Sequence, residues 1–250
     1  MQRLALLLVA MLTPLLGVAQ WSEYELDTTL WGGGLPYGVT EGFNLPFENS
    51  SEPSYILTFI PTDTASVADG GKWVTFKGFW MMSTEVSVYL WGLVMDAPEN
   101  NDRLRPISMI DSSEVALFIH RIDSITGMPL RLPTVEEWWF AAKGGHRDMG
   151  YHFGASNKAD FAAWWSGNSG GTLHAIASRL PNEAELFDMM GNVAEMAVNS
   201  DGRLRLMGGH YNSNEAEMTN REGSPFKGAD PTIGFRLVCT TQRTFNSMTY

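Results

Sequence analysis

The stretch RLPTVEEWWFAAKGG, residues 131–145, contains both a start signal and a stop signal for a helix. Thr134 and Glu137 stand three residues apart, the capping-box spacing in which each side chain bonds the other's backbone N–H. Gly144 and Gly145 follow the apolar run, and glycine commonly ends helices because it adopts a left-handed backbone at little cost. The sequence therefore predicts a helix that begins after residue 134 and ends at residues 144–145.

Two further stretches accompany it toward the C-terminus: LFDMMGNVAEM, residues 186–196, and IGFRLV, residues 233–238. In the first, Gly191 and Asn192 suit a turn of unusual backbone conformation. Between the two, NSDG at residues 199–202 predicts a hairpin turn, and residues 203–207 alternate polar and apolar side chains after it. In the second, Ile233 and Phe235 alternate with Gly234, which predicts a last strand.

Two more helices are predicted upstream. The first is indicated by the apolar spacing of residues 86, 89, 90 and 93, and the second begins at Asp111 with Glu114 as its capping-box partner and ends at Gly127. Residues 55–60 and 72–80 read as two strands of an opening hairpin, joined near the DGG turn at residues 69–71. Residues 31–38, WGGGLPYG, predict a loop.

In this order, the blocks resemble the sulfatase-modifying-factor family, whose founding activity is that of the formylglycine-generating enzyme. The resemblance also includes residues 82–89, 106–119 and 181–183, and the Gly208-Gly209 turn, where Met207 replaces the family's arginine. It implies an α+β fold, the formylglycine-generating-enzyme-like variant of the C-type-lectin fold, with little regular secondary structure. We expect a signal peptide at residues 1–19, an irregular lead at 20–53, the domain at 54–240 and a tail at 241–250.

The catalytic residues of that enzyme are missing. The resemblance implies that a pair of cysteines binds copper between the Gly-Gly turn and the last strand, yet residues 208–236 contain no cysteine. Met218 is the one soft ligand there, and the five histidines show no metal-binding spacing. The single Cys239, in an apolar strand, is expected to be a buried structural residue. We therefore expect no catalytic residues, no other bound cofactor, and neither copper nor iron.

The resemblance implies a structural calcium ion at the Gly191-Asn192 turn. The matching ligands are the carbonyls of Met190, Gly191 and Val193 and the carboxylate of Glu195, and hard oxygen donors suit Ca²⁺. The alternative is that Glu195 forms a salt bridge with an arginine such as Arg236. The family's second calcium site is poorly matched, because Asp160 and Asn168 do not have its spacing.

A binding surface is predicted from two loop segments, residues 163–174 and 211–226. Its candidate residues are Trp164, Trp165, Asn168, Tyr211, Asn212 and Asn214. Irregular loops on a stable base are a common arrangement for recognition. The alternative is that both tryptophans belong to the core.

Charge and the N-terminus limit the partners. A net charge of −11, from 28 acidic and 17 basic residues, argues against nucleic acid. Residues 1–19 combine Arg3, an apolar run and small residues at 17–19, as a signal peptide does, with too short a run for a membrane span. We therefore expect an exported protein, periplasmic, outer-membrane-associated or secreted, with a protein or glycan partner at the cell envelope and no membrane span after signal removal.

Three functions are compatible with the sequence. The first is a non-catalytic binding or structural component of an envelope assembly, as family members that resemble this chain are in gliding and secretion systems of Bacteroidetes. The second is a metal-dependent oxidase or sulfur-transfer enzyme with a non-cysteine site. The third is the variable ligand-binding protein of a diversity-generating system, which shares the fold.

Overall fold

The computed structural model describes residues 21–23, 41–44, 56–60, 65–69, 72–76, 78–98 and 102–239. The predicted signal peptide, the predicted tail, the loop at residues 31–38 and most of the predicted lead lie outside the described residues. The longest helix in the described ranges has 15 residues, and none combines the length and apolar character that crossing a membrane requires.

The described chain is an α+β structure with short elements, as the sequence predicts. The strands are β1 Trp21–Glu23, β2 Glu41–Asn44, β3 Ile56–Ile60, β4 Ala65–Asp69, β5 Lys72–Phe76, β6 Phe79–Met82, β7 Leu130–Arg131, β8 Ala194–Val198, β9 Leu204–Met207, β10 Ser224–Pro225, β11 Ile233–Gly234 and β12 Val238–Cys239. The helices are α1 Val88–Met95, α2 Ser112–Thr126, α3 Val135–Ala142, α4 Ala159–Ala162 and α5 Glu215–Met218.

Three sheets organise the strands. One has the order β1-β2-β3-β6-β12-β7, a second has the order β10-β9-β8-β11, and β4 pairs with β5 in a separate hairpin. The chain passes from the second sheet to the first between β11 and β12, so residues 235–237 connect the two. The predicted turn at residues 199–202 is confirmed, since β8 and β9 pair in antiparallel register across it, with Val198 opposite Leu204.

The helix ends follow the local sequence closely. Asp111 and Glu114 form the predicted capping box of α2, and Gly127 ends that helix with a left-handed backbone. Thr134 and Glu137 form the predicted capping box at the start of α3. On α1 the apolar face differs from the prediction: Leu90 and Val94 are buried, whereas Leu93 is 38% exposed. Val86, the first residue of the predicted face, is also buried, although the helix begins only at residue 88.

Three strand predictions are wrong in detail. Residues 72–80 do not form one strand: β5 pairs with β4, and β6 pairs with β3, Leu57 lying opposite Met82. The last strand is also two strands, β11 and β12, in different sheets. The lead is not wholly irregular, because β1 and β2 extend the first sheet beyond β3. Strands of three or four residues without alternating polarity give no periodic signal in the sequence.

Two groups of buried apolar residues lie around these sheets. One joins α1 and α2 to the last strands, where the stacked rings of Trp91 and Phe118 meet Phe235 edge-on. The other surrounds Trp138 of α3 and includes Met207 and Met218. The long loops that hold the predicted site lie between helix α3 and the last strands, and they depend on these two cores for their position.

Candidate functional site

A buried ion pair lies beneath the predicted calcium turn. The guanidinium of Arg236 donates to both carboxylate oxygens of Glu195, Nε to Oε2 at 2.8 Å and Nη2 to Oε1 at 2.7 Å. Trp138 Nε1 also donates to Glu195 Oε2 at 2.8 Å. Arg236 donates further to the carbonyls of Met82 and Phe187. Neither charged residue is more than 1% exposed. The salt bridge considered as the alternative for Glu195 is therefore present.

Two more buried carboxyls face this pair. Burial, reinforced by the nearby Asp188, raises the pKa of Glu85 well above its usual range, and burial raises the pKa of Asp188 to about 6. Glu85 Oε2 and Asp188 Oδ1 are buried and accept no hydrogen bond from the described residues. Two adjacent carboxylates repel one another, so ionisation of both groups at once is disfavoured.

Asn192 connects this charged core to both predicted binding loops. It is fully buried with a left-handed backbone, φ 56°. Its Nδ2 donates to Glu85 Oε1 at 2.9 Å, and its Oδ1 accepts from the backbone N–H of His174 at 3.1 Å. Its own N–H donates to the Trp164 carbonyl at 2.8 Å, and its carbonyl accepts from the Tyr211 N–H at 3.0 Å. Asn192 thus holds the two loops together through its side chain and through both of its backbone polar groups.

At the neighbouring position 191, the backbone of another loop comes so close that only glycine fits. Its φ is +78°, and a Cβ at this position would lie 2.1 Å from the Trp164 carbonyl oxygen. The two loops also touch directly: Ser166 N–H donates to the Ser213 carbonyl at 3.1 Å, and Ser169 Oγ donates to the Tyr211 carbonyl at 2.7 Å. The structure therefore brings residues 163–174 and 211–213 side by side.

The two tryptophans of the first loop are half-buried and engaged. Trp164 stacks on His174 with ring centroids 3.6 Å apart, and the Arg179 guanidinium lies 3.5 Å from the centroid of the same indole. Both faces of Trp164 are therefore covered, which leaves none for stacking on a sugar. Trp165 Nε1 donates to Asp160 Oδ1 at 2.9 Å, and Asn168 Oδ1 accepts from the Trp165 N–H at 3.0 Å. These residues shape the loop more than they present a free aromatic surface.

The second loop places its amides differently. Tyr211 is half-buried beside Asn192, whereas Asn212 and Asn214 are exposed. Asn214 caps α5 in a capping box with Glu217. The Asn212 N–H donates to His210 Nδ1 at 3.2 Å. Of the six predicted surface residues, Asn212 therefore remains the one whose side chain is exposed without serving as a helix cap.

A cavity of about 420 Å³ opens on the other side of this loop. We call it the His210 pocket. Its polar side chains are those of His210, Ser213, Glu217, Asn220, Ser224, Lys227, Asp230 and Thr232. Glu217 and Asp230 are negative and Lys227 is positive, so the lining offers both signs of charge to a ligand.

The pKa values in the pocket follow from its geometry. Burial lowers the pKa of His210, although Glu217 and Asp230 act in the opposite direction. Because its Nδ1 accepts a hydrogen bond, the neutral ring carries its proton on Nε2. The Thr232 hydroxyl donates to Asp230 Oδ1 at 2.6 Å and lowers the pKa of that carboxyl, which is therefore charged at neutral pH. In its neutral form, His210 can therefore donate a hydrogen bond from Nε2 to a ligand.

The pocket lies where the family's thiols would be expected, and it offers none. Ser213 and Met218 are buried there, at 2% and 0% exposure. Cys239 is 1% exposed in β12, as expected for a structural residue. Among the described residues, no three His, Cys, Asp or Glu side chains are grouped so that they could hold a metal ion.

Part of this pocket is not predicted from the sequence. Lys227 and Asp230 lie just beyond the predicted loop surface, and in the sequence His210 is one of five scattered histidines. Their signal is weak because the pocket depends on how β10 and β11 place the intervening loop. The density of Gly, Pro, Lys and Asp at residues 223–231 was the available indication of an exposed, shaped loop.

Comparison with known proteins agrees with this architecture. The chain is 27% identical over 135 residues to the chaperone protein LppX of Paenibacillus barcinonensis, a match that covers 43% of this chain and 48% of that protein. The chain thus spans about half the length of this curated relative.

Three solved structures have the same fold. Variable protein 1 of Treponema denticola superposes with a TM-score of 0.65 at 19% identity, covering 82% of this chain and 100% of that one. CarF superposes with a TM-score of 0.60 at 18% identity, covering 74% of this chain and 98% of that one. PvdO from Pseudomonas aeruginosa superposes with a TM-score of 0.59 at 17% identity, covering 75% of this chain and 95% of that one. Residues 58–241 match the sulfatase-modifying factor enzyme 1-like domain. The chain therefore belongs to the sulfatase-modifying factor enzyme 1-like domain family.

Proposed function

We propose that this chain is an exported, non-catalytic member of the family that binds a protein partner at the cell envelope through the His210 pocket and the adjoining loops. The observation that carries the proposal is the composition of the pocket, in which charged and amide side chains line the region where the family's chemistry would need a pair of thiols. Such a lining can recognise a ligand by charge and hydrogen bonding.

The relative with the chaperone name supports a protein partner over a glycan, since a chaperone acts by binding other proteins. The indole of Trp164, the strongest candidate for stacking on a sugar, has both faces covered. An oxidase or sulfur-transfer role has no comparable support among the described residues, because they provide neither a thiol pair nor a metal-ligand group. The similarity to variable protein 1 of Treponema denticola is a similarity of fold and gives no information about a ligand.

Site-specific photo-crosslinking tests the proposal. A photoreactive amino acid at Asn220 or at Lys227, both exposed in the pocket lining, should give a discrete adduct with one partner in the native host. The same residue at Ser113, exposed on α2, serves as the matched control and should give none. Adducts of equal yield at all three positions, or none at any, would contradict a binding role for the pocket.

We further propose a structural calcium ion at the Gly191 turn, held by the carbonyls of Met190, Gly191 and Val193. Glu195 could join them only by giving up a contact to Arg236, which already bonds both its oxygens. Elemental analysis of the purified chain, starting near Gln20, should therefore find calcium without stoichiometric copper or iron. Stoichiometric copper or iron would instead favour an enzyme, and a chain free of all three metals would refute the calcium site.

A further inference from the structure

A second hollow lies next to the His210 pocket, and Pro225 contributes to both. We call it the Arg203 hollow. Its volume is about 460 Å³, and its lining is Asn199, Arg203, Leu204, Arg205, Pro225 and Phe226. The hairpin turn at residues 199–202 and the short strands β9 and β10 form it, so its walls belong to the second sheet rather than to the long loops.

The two arginines of this hollow have no acidic partner. Arg205 is fixed by neutral groups, with Nε donating to the Glu222 carbonyl at 2.9 Å and Nη2 to the Gly223 carbonyl at 2.8 Å. The side chain of Arg203 is exposed and makes no hydrogen bond or ion pair with the described residues. No acidic residue lines the hollow. Two positive charges therefore remain uncompensated at one place.

The hollow lies in a chain that is acidic overall, with 28 acidic residues against 17 basic ones. Several other arginines in the described ranges do pair with carboxylates, as Arg105 does with Asp102, Arg121 with Asp96 and Arg131 with Glu137. A strongly acidic protein that leaves two arginines unneutralised in a concave site attracts an anionic ligand to that site.

The remaining lining decides which kind of anion fits. Leu204 and Pro225 provide apolar walls, and Phe226 is half-buried, its ring packed against the first core. Arg203 can bind a carboxylate in a bidentate manner, because the guanidinium has a planar fork of donors. Apolar walls beside such a fork suit a chain that carries carboxylates together with apolar side chains. A polyphosphate backbone would leave those walls unused.

We propose that the Arg203 hollow binds an acidic peptide segment of the partner, whose carboxylate pairs with Arg203 while a neighbouring apolar side chain packs on Phe226 and Pro225. This deepens the proposed function by naming the chemistry of one part of the partner, and it rests on that function only in assuming that the chain acts by binding. The Arg205 guanidinium, held by two carbonyls, provides a preorganised second charge.

Direct binding of a synthetic peptide tests the inference. The probe is a short fluorescent peptide that alternates glutamate with phenylalanine, and the comparison peptide has glutamine in place of each glutamate. We expect the full chain to bind the glutamate peptide about tenfold more tightly, a difference of about 1.4 kcal/mol, because its carboxylates can pair with the Arg203 guanidinium and the glutamine amides carry no charge. Equal affinity for both peptides would overturn the proposal.

Substitutions locate the binding. Arg203→Gln should weaken binding of the glutamate peptide about tenfold, and added salt should reduce the difference between the variants. Arg221→Gln is the matched control, since Arg221 lies in the same region but lines neither cavity. Equal losses in both variants, or no loss in either, would overturn the assignment. Competition by inorganic phosphate as strong as that of unlabelled peptide would show a simple anion site instead.

The outcome is separable from that of the crosslinking experiment. Adducts at Asn220 and Lys227 without peptide binding would leave the His210 pocket as the binding site and reject the Arg203 hollow. Peptide binding that depends on Arg203, without adducts at the pocket, would support the hollow and reject the pocket.

Discussion

Replacing Arg236 with methionine is expected to lower the free energy of unfolding by about 3–5 kcal/mol, the usual cost of removing one partner of a buried ion pair. The change leaves the Glu195 carboxylate with the Trp138 indole as its one remaining donor among those described above. It also leaves the carbonyls of Met82 and Phe187 without their guanidinium donor. Because Arg236 lies between the two sheets, the loss should affect the whole domain. Chemical denaturation of the two proteins measures it.

A matched control separates this effect from the loss of an arginine as such. Arg203→Met makes the same substitution at an exposed position and should change stability by no more than about 0.5 kcal/mol. Combining Arg236→Met with Glu195→Gln should restore part of the loss, because the unpaired negative charge is then gone. A double variant less stable than Arg236→Met alone would mean that Glu195 has another favourable partner, such as a cation.

Replacing Gly191 with alanine should destabilise the domain by about 4 kcal/mol or prevent folding. About 1–2 kcal/mol arises from placing a Cβ on a left-handed backbone, and overlap with packed neighbours costs about 1–3 kcal/mol more. The neighbour here is the Trp164 carbonyl oxygen, 2.1 Å from the added Cβ, and backbone cannot move aside as a side chain can. Displacing the Trp164 carbonyl to make room would also break the hydrogen bond that it accepts from the Asn192 N–H.

Gly150 provides a control with the same backbone angle. Its φ is also +78°, but no atom lies within 4 Å of its Cβ position. Gly150→Ala should therefore cost only the conformational part, about 1–2 kcal/mol. Denaturation midpoints of both variants give the comparison, and equal effects at the two positions would mean that the contact between the loops carries no energy of its own.

The structural features that the sequence predicts correctly are those that residues close together in the chain determine. The capping boxes at Asp111 and Thr134 and the turn at residues 199–202 are local, and each was found in its predicted place. The order of the sequence segments that resemble the family also indicates the fold. The alternation of Ile233 and Phe235 with Gly234 predicts a single last strand, yet these residues are all buried and the segment divides into two strands, because two sheets meet there.

The candidate site depends more on contacts between residues that are far apart in the sequence. For Glu195 the sequence leaves two alternatives, a calcium ligand and a partner of Arg236, and only the folded structure shows Arg236, 41 residues away, bound to both of its oxygens. Trp164 looked like a free aromatic, but His174 and Arg179 cover it from two sides. The Arg203 hollow gave no motif at all, since its walls come from a hairpin turn and a strand about 20 residues apart, and the missing counter-charge is visible only in space.

Asn192 and Gly191 hold the two loops chiefly by backbone atoms: the carbonyl of Trp164, the N–H groups of His174 and Tyr211, and the carbonyl of Gly208. Every residue except proline presents such atoms, so the attachment places little demand on the identity of the loop side chains. Evolution can exchange exposed residues such as Asn212 while the anchors stay in place. The same property makes this chain a scaffold for engineered libraries, in which loop residues are varied around a fixed Gly-Asn pair.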